Sequence, residues 1–202
     1  MELKSYISAM EHWSGRVDSE TDYDAFRWHQ WVQPLDLTED HDDFYCEYGF
    51  AFIGFCSEEG VERNNGRIGT AKAPNYIRGK LSNLPCVFEK TVKMYDAGNI
   101  VCDDISMEEG QMLLGKAVEK ILEMGLFPIV LGGGHETTFG HFLGQFADLK
   151  KKGCFYTVAV GKGILPWAIG LPGCRIPKPV CSPPIECVLN AFRIAGIFGL
   201  TV

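Results

Sequence analysis

An α/β fold with a mostly parallel sheet is what this sequence predicts, and three observations predict it. Apolar runs of strand length recur at residues 48–55, 92–100 and 126–133. Each run is followed by a stretch with helical spacing or helix-boundary chemistry. Such alternation makes crossover units, which set successive strands parallel. The pattern stops near residue 152, so an N-terminal portion of an α/β domain over 1–152 and a separate tail over 153–202 are expected.

The first run, YGFAFIGF at 48–55, has the length and aromatic content of a buried strand. KAPNYIRGKLSNL at 72–84 then carries Pro74 at a helix start, with Tyr76, Ile77 and Leu81 as its apolar positions. VKMYDAGNI at 92–100 reads as a second strand ending in a turn. Ser106 followed by Glu109 is a capping box, because the serine and the glutamate can each satisfy a free N–H at the helix start. The helix behind it uses Met112, Leu114, Val118, Ile121 and Leu122 and stops at Gly125. LFPIVLGG at 126–133 is the third strand. In the helix at 136–149, Phe139, Phe142, Leu143, Phe146 and Leu149 share one face.

The composition excludes several function classes. The chain has 202 residues, 46% hydrophobic and 22% charged, with a net charge of −7. That balance argues against nucleic acid as a partner, which needs a basic face. No apolar stretch approaches the ~20 residues of a membrane span, and the first residues lack the apolar core of a secretory signal. The eight cysteines include no C-x-x-C pair, so free thiols in a cytoplasmic protein are expected. Whether the chain forms a homo-oligomer is left open.

Charge is unevenly spread. Residues 153–202 hold one acid, Glu186, and four bases, Lys162, Arg175, Lys178 and Arg193. They also hold six of the ten prolines and four of the eight cysteines. The change follows Lys150, Lys151 and Lys152. A lysine run is often encoded by adenines, where slippage shifts the reading frame. A tail of this kind, unpatterned and poorly ordered, is not expected to add strands to the sheet, and an open apolar sheet edge favours aggregation.

The chemistry concentrates in VLGGGHETTFGHF at 130–142, where a strand meets a glycine turn and a helix. In parallel sheets the functional groups gather at such carboxyl ends. A phosphate loop would need Lys followed by Ser or Thr, and a zincin helix would need histidines four apart. His135 and His141 are six apart, and GGGHET at 132–137 breaks the G-x-G-x-x-G dinucleotide fingerprint at its last position. A tight turn with a structurally satisfied histidine therefore competes with a ligand role for His135.

GGGHE at 132–136, with the Phe139-Gly140-His141 step behind it, resembles the arginase/agmatinase/formimidoylglutamase superfamily. WSGRVD at 13–18 and RWHQWV at 27–32 resemble the N-terminal segment of formimidoylglutamases, which arginases and agmatinases do not share. GFCSEEGVERNNGRIGTAKAPNYIR at 54–78 is similar to the first βα loop of that family. Gly60, Val61, Arg63, Asn64, Gly66, Arg67, Gly69 and Pro74 fit its pattern, whereas Thr70 and Ala73 depart from it by small-for-small exchange.

The resemblance covers roughly residues 10–150 and implies an arginase-like three-layer fold. The implied reaction is hydrolysis of N-formimidoyl-L-glutamate to L-glutamate and formamide, a step of histidine degradation. In the family a water bridging two Mn2+ ions is activated near neutral pH. His135 corresponds to one metal ligand. Arg63, Asn64 and Arg67 are the candidates to grip the substrate carboxylates, since guanidinium pairs well with carboxylate. Glu136 is a candidate to brace His135 through its other nitrogen, or else it simply favours the helix N-terminus. His141 is read as supporting or structural. His29 belongs to the RWHQ motif. His12, His41, Asp36, Asp42 and Asp43 read as solvated or packing residues.

The family's remaining ligands come from a D-A-H-x-D strand end and a later D-x-D. No Asp and no His follows residue 148. One imidazole cannot hold a metal pair, because affinity comes from several converging donors. The chain as written is therefore expected to be inactive, with bound Mn2+ in doubt. A non-catalytic relative or binding protein on the same fold, or a ureohydrolase of the agmatinase or arginase type, are the alternatives.

Overall fold

The structure, a computed structural model, describes residues 6–39 and 48–151. The segment holding His41, Asp42 and Asp43, and the tail from residue 152, lie outside the described residues. The strands are β1 (Tyr6–Ile7), β2 (Gln33–Pro34), β3 (Tyr48–Cys56), β4 (Val92–Val101) and β5 (Phe127–Leu131). The helices are α1 (Trp28–Trp31), α2 (Glu59–Arg63), α3 (Ala73–Leu81), α4 (Met107–Glu123) and α5 (Glu136–Lys151). Among the described residues no helix is long and apolar enough to cross a membrane.

The sheet runs β1-β4-β3-β5, with β2 also on β4. Among the described residues β2, β3, β4 and β5 pair in parallel, and β1 pairs antiparallel with β4. Parallel pairing is imposed by the crossovers, since α3 carries the chain from β3 to β4 and α4 carries it from β4 to β5. Among the described residues β5 pairs with β3 alone.

Two cores flank the sheet because side chains alternate along a strand. Ala51, Ile53 and Phe55 of β3 face α4, where Leu114, Ala117, Val118 and Ile121 complete a fully buried cluster. Phe52 faces the other way, against Trp13, Val32, Leu81 and Met94. The result is three layers: α4 with α5, the sheet, and α3 with the N-terminal segment. The N-terminal segment is stitched down by indole N–H donors, one from Trp31 to the Val92 carbonyl (2.9 Å) and one from Trp13 to Asp96 (2.7 Å).

A bulge interrupts β4. Phe52 pairs with Asp96 but Gly54 pairs with Asn99, so β4 carries one extra residue. Gly98 takes φ +78°, and its N–H donates to Asp96 Oδ1 at 2.7 Å. The bulge aims Asp96 and Asn99 at Arg78 of α3. Arg78 is fully buried. Its guanidinium donates to Asp96 Oδ2 (2.6 Å) and Oδ1 (3.0 Å), to Asn99 Oδ1 (2.7 Å) and to the Gly98 carbonyl (2.8 Å).

Three helix faces differ from the sequence expectation. In α3, Tyr76 is exposed and Arg78 occupies the buried face, because the paired guanidinium is satisfied where an apolar group was expected. In α4, Met112 points to solvent. In α5, Phe139 and Phe146 are exposed, whereas Gly140 and Gly144 are buried. The reason is steric. A Cβ at Gly140 would fall 2.8 Å from Leu114 Cδ2, and one at Gly144 would fall 2.6 Å from Val118 Cβ. The two helices approach so closely that only glycine fits the seam, and the aromatic stripe rotates outward. The capping box of Ser106 and Glu109 is present in both directions.

Candidate functional site

The carboxyl ends of β3, β4 and β5 lie together, and a cleft of about 690 Å³ opens beside them. Its floor is the start of α5, with His135 and Glu136. One wall is the α2 loop, through Gly60, Val61, Arg63, Asn64 and Gly66. The other wall is the first turns of α4, Met107 and Gln111.

The floor follows from local sequence. β5 ends at Leu131, and Gly132 and Gly133 then take φ of +81° and +72°. A Cβ at Gly132 would collide with the Pro74 ring, and one at Gly133 with the Thr137 hydroxyl. Glycine is thus required twice to turn the chain beneath α3 and start α5. The Thr137 hydroxyl donates to the Gly132 carbonyl (3.0 Å) and closes the turn. His135 stands on this floor and is exposed.

Glu136 does not reach back to that ring. Its carboxylate lies over the α2 loop, such that a Cβ at Gly60 would sit 2.6 Å from Oε2. Oε1 is buried without a hydrogen-bond partner among the described residues. Gln111 holds the Glu136 backbone, donating from Nε2 to its carbonyl at 3.0 Å. Neither Gln111 nor Met107 stood out in the sequence. The capping box located the α4 N-terminus, but nothing local said which loop it would face.

Arg63, Asn64 and Arg67 part company. Asn64 lines the cleft and donates from Nδ2 to the Gly60 carbonyl (2.8 Å). Arg67 is exposed. The Arg63 guanidinium is shared between Glu108 Oε1 (2.7 Å) and Glu59. Hydrogen bonding to Glu108, then to Glu59, raises the Arg63 pKa further above its usual range. The same Arg63 contact lowers the pKa of Glu108.

His141 sits on another side of α5, half-buried, with Nε2 unpartnered among the described residues. Burial lowers its pKa. His29 places Nδ1 3.0 Å from the Ser82 carbonyl, tying the RWHQ segment to the end of α3. His12 has its Nε2 3.4 Å from Glu11. Asp36 accepts from the Thr38 N–H (2.8 Å) and hydroxyl (2.7 Å).

Cys56, Cys86 and Cys102 are free thiols. Burial pushes Cys56 up to about 11 and Cys102 up to about 12, which makes both poor nucleophiles near neutral pH. Among the described residues no three His, Cys, Asp or Glu side chains converge as a metal site. The described donors thus do not fit a metal pair.

Comparison with known proteins is consistent over this region. The model of the arginase family matches residues 48–154. A formimidoylglutamase of Clostridium tetani is 56% identical over 141 residues, covering 69% of this chain and 42% of that protein. One from Geobacillus kaustophilus is 47% identical over 133 residues, covering 66% and 41%. A crystal structure of Trypanosoma cruzi formiminoglutamase with Mn2+ is 31% identical, with a TM-score of 0.45, over 50% of this chain and 36% of that one. The chain spans about two fifths of the length of the curated relatives it matches.

Proposed function

The chain belongs to the arginase family, its described part being an arginase-like α/β fold, and on that premise we propose that it carries the first half of a formimidoylglutamate hydrolase site without being a working hydrolase. The complete reaction would add water to the amidine carbon of N-formimidoyl-L-glutamate and release L-glutamate and formamide. Its substrate is a small molecule, and we place the protein in the cytoplasm.

The observation that carries this reading is the position of His135. It stands at the end of a parallel strand, on the floor of a cleft whose wall is the loop that resembles formimidoylglutamases. In this role His135 is the surviving ligand of the metal pair that such a site would need, with Mn2+ the cation suited to imidazole and carboxylate donors. Asn64, on the cleft wall, and Arg67, exposed on the same loop, are the groups proposed to take a substrate carboxylate. Glu136 supports the floor from beneath. No hydrolytic step is assigned through a metal, because one imidazole supplies too few donors.

The domain division follows from the same reading, with residues 1–152 as the family portion and 153–202 as a segment foreign to it. The experiment is release of glutamate and formamide from N-formimidoyl-L-glutamate by the purified chain at millimolar Mn2+. No turnover is expected, and sustained turnover would show a working hydrolase and overturn this reading. Translation of the other two frames after the Lys150 codon checks the slippage account; absence of a D-A-H-x-D stretch in both would reject it. A second reading, a non-catalytic binding protein, rests on the presence of the cleft and would show substrate binding by calorimetry without product.

A further inference from the structure

The cleft is bounded by two elements that share no sheet ladder: the loop through α2 and the N-terminus of α4. Their meeting is made by three charged side chains. Arg63 Nη1 donates to Glu108 Oε1 at 2.7 Å, and Nη2 lies 3.4 Å from Glu108 Oε2. Nη2 also donates to Glu59 Oε1, one helical turn earlier. The second oxygen of Glu59, Oε2, accepts the Met107 backbone N–H at 2.8 Å. Glu59 therefore reaches α4 directly, where the free N–H groups of a helix start favour an anion. Arg63 closes the triangle from the other side. At the far end of the loop, the Gly69 N–H donates to Glu58 Oε2 at 2.6 Å.

We propose that Arg63 is a positioning residue, not a ligand group: with Glu59 and Glu108 it clamps the α2 loop onto α4 and so sets the width of the cleft. Its donors are already committed to two carboxylates. One guanidinium reaches both carboxylates at once through separate nitrogens, which the single ammonium of lysine reproduces poorly. The clamp is also exposed, with the Arg63, Glu59 and Glu108 side chains at 48%, 40% and 58% of full accessibility. Exposed pairs are weak and screened by salt. The triangle is therefore a reversible latch that fixes a loop at little cost to the core. The inference rests on the proposed function only in taking the cleft as a ligand site.

Hydrogen exchange on the full chain tests it without any need for turnover. The Asn64 and Gly66 amides both donate to the Val61 carbonyl and report on the loop. Arg63→Gln and Glu108→Gln should each speed their exchange about two- to fivefold while the amides of β3 stay unchanged, the scale of an exposed pair. The double variant should be no faster than either single one, and Arg63→Lys should fall between. At about 1 M salt, where screening acts within ~3 Å, the unmodified chain should approach the variants. Unchanged loop exchange in either variant, or additive effects in the double variant, would overturn the clamp. L-glutamate serves as the probe for a ligand role of Arg63. If Glu108→Gln tightens L-glutamate binding several-fold, Arg63 is a ligand group shielded by Glu108 and the proposal fails. Failure of L-glutamate to bind any variant counts against the proposed function alone, since exchange still decides the clamp.

Discussion

Replacing Asp96 with alanine should be among the most damaging single changes in this protein. Arg78 is 0% and Asp96 2% exposed. Removing the carboxylate strands three groups at once: the guanidinium (2.6 and 3.0 Å), the Trp13 indole N–H (2.7 Å) and the Gly98 N–H (2.7 Å). Breaking a buried ion pair from one side costs about 3–5 kcal/mol, because the remaining charge is left without compensation. The Trp13 contact, a hydrogen bond to a charged acceptor, accounts for about 1.5–3 kcal/mol of what Trp13→Phe should cost by itself. Whole-domain stability is only about 5–15 kcal/mol, so Asp96→Ala approaches the limit of folding. Urea unfolding followed by circular dichroism gives the number. Arg78→Met should also cost about 3–5 kcal/mol, and the double variant far less than the sum, since neither orphaned charge remains. A cost below about 1 kcal/mol for Asp96→Ala, or strict additivity of the two, would refute the account of this network.

Other outcomes follow from single contacts. Burial holds the His141 pKa below its ordinary value. Its neutral form is favoured by folding, so that contribution is complete above the unfolded value of about 6.5 and is lost as pH falls through the lower folded pKa; urea midpoints between pH 7.5 and 5.5 should fall, and His141→Gln should flatten the slope. Gly144→Ala puts a Cβ 2.6 Å from Val118 Cβ and against the Gly115 carbonyl, so it should lower stability by about 1–3 kcal/mol. Gly79→Ala, inside α3 with nothing within 4 Å of the new carbon, should raise stability by about 0.4–1 kcal/mol in the same melts. Ser106→Ala removes the hydroxyl that accepts the Glu109 N–H at 3.3 Å and should cost about 1 kcal/mol, measured by thermal unfolding.

By itself the sequence determined what depends on neighbours along the chain. The three longer parallel strands, β3, β4 and β5, were legible as apolar runs, whereas the two-residue β2 was not; the α4 start was legible as a serine followed three residues later by a glutamate, and the glycine turn under His135 as a strand end. Each rests on backbone geometry spanning a few residues, so the letters suffice. Composition also exposed the change of character after Lys152 and the lack of any Asp or His beyond it. Tertiary structure alone decided which face of α5 is buried. The periodicity of Phe139, Phe142 and Phe146 marked an apolar stripe, but the spacing between α4 and α5 admits only the glycine side. It alone decided that Arg78 is a core residue, because its partner Asp96 is eighteen positions away and is aimed by a bulge. It alone turned Arg63 from a free guanidinium into a paired one, since Glu108 stands forty-five positions along the chain. A side chain's chemistry is written in the sequence, but what satisfies it is set by which distant groups the fold brings within about 3 Å, and hydrogen bonds and steric seams act only at that range.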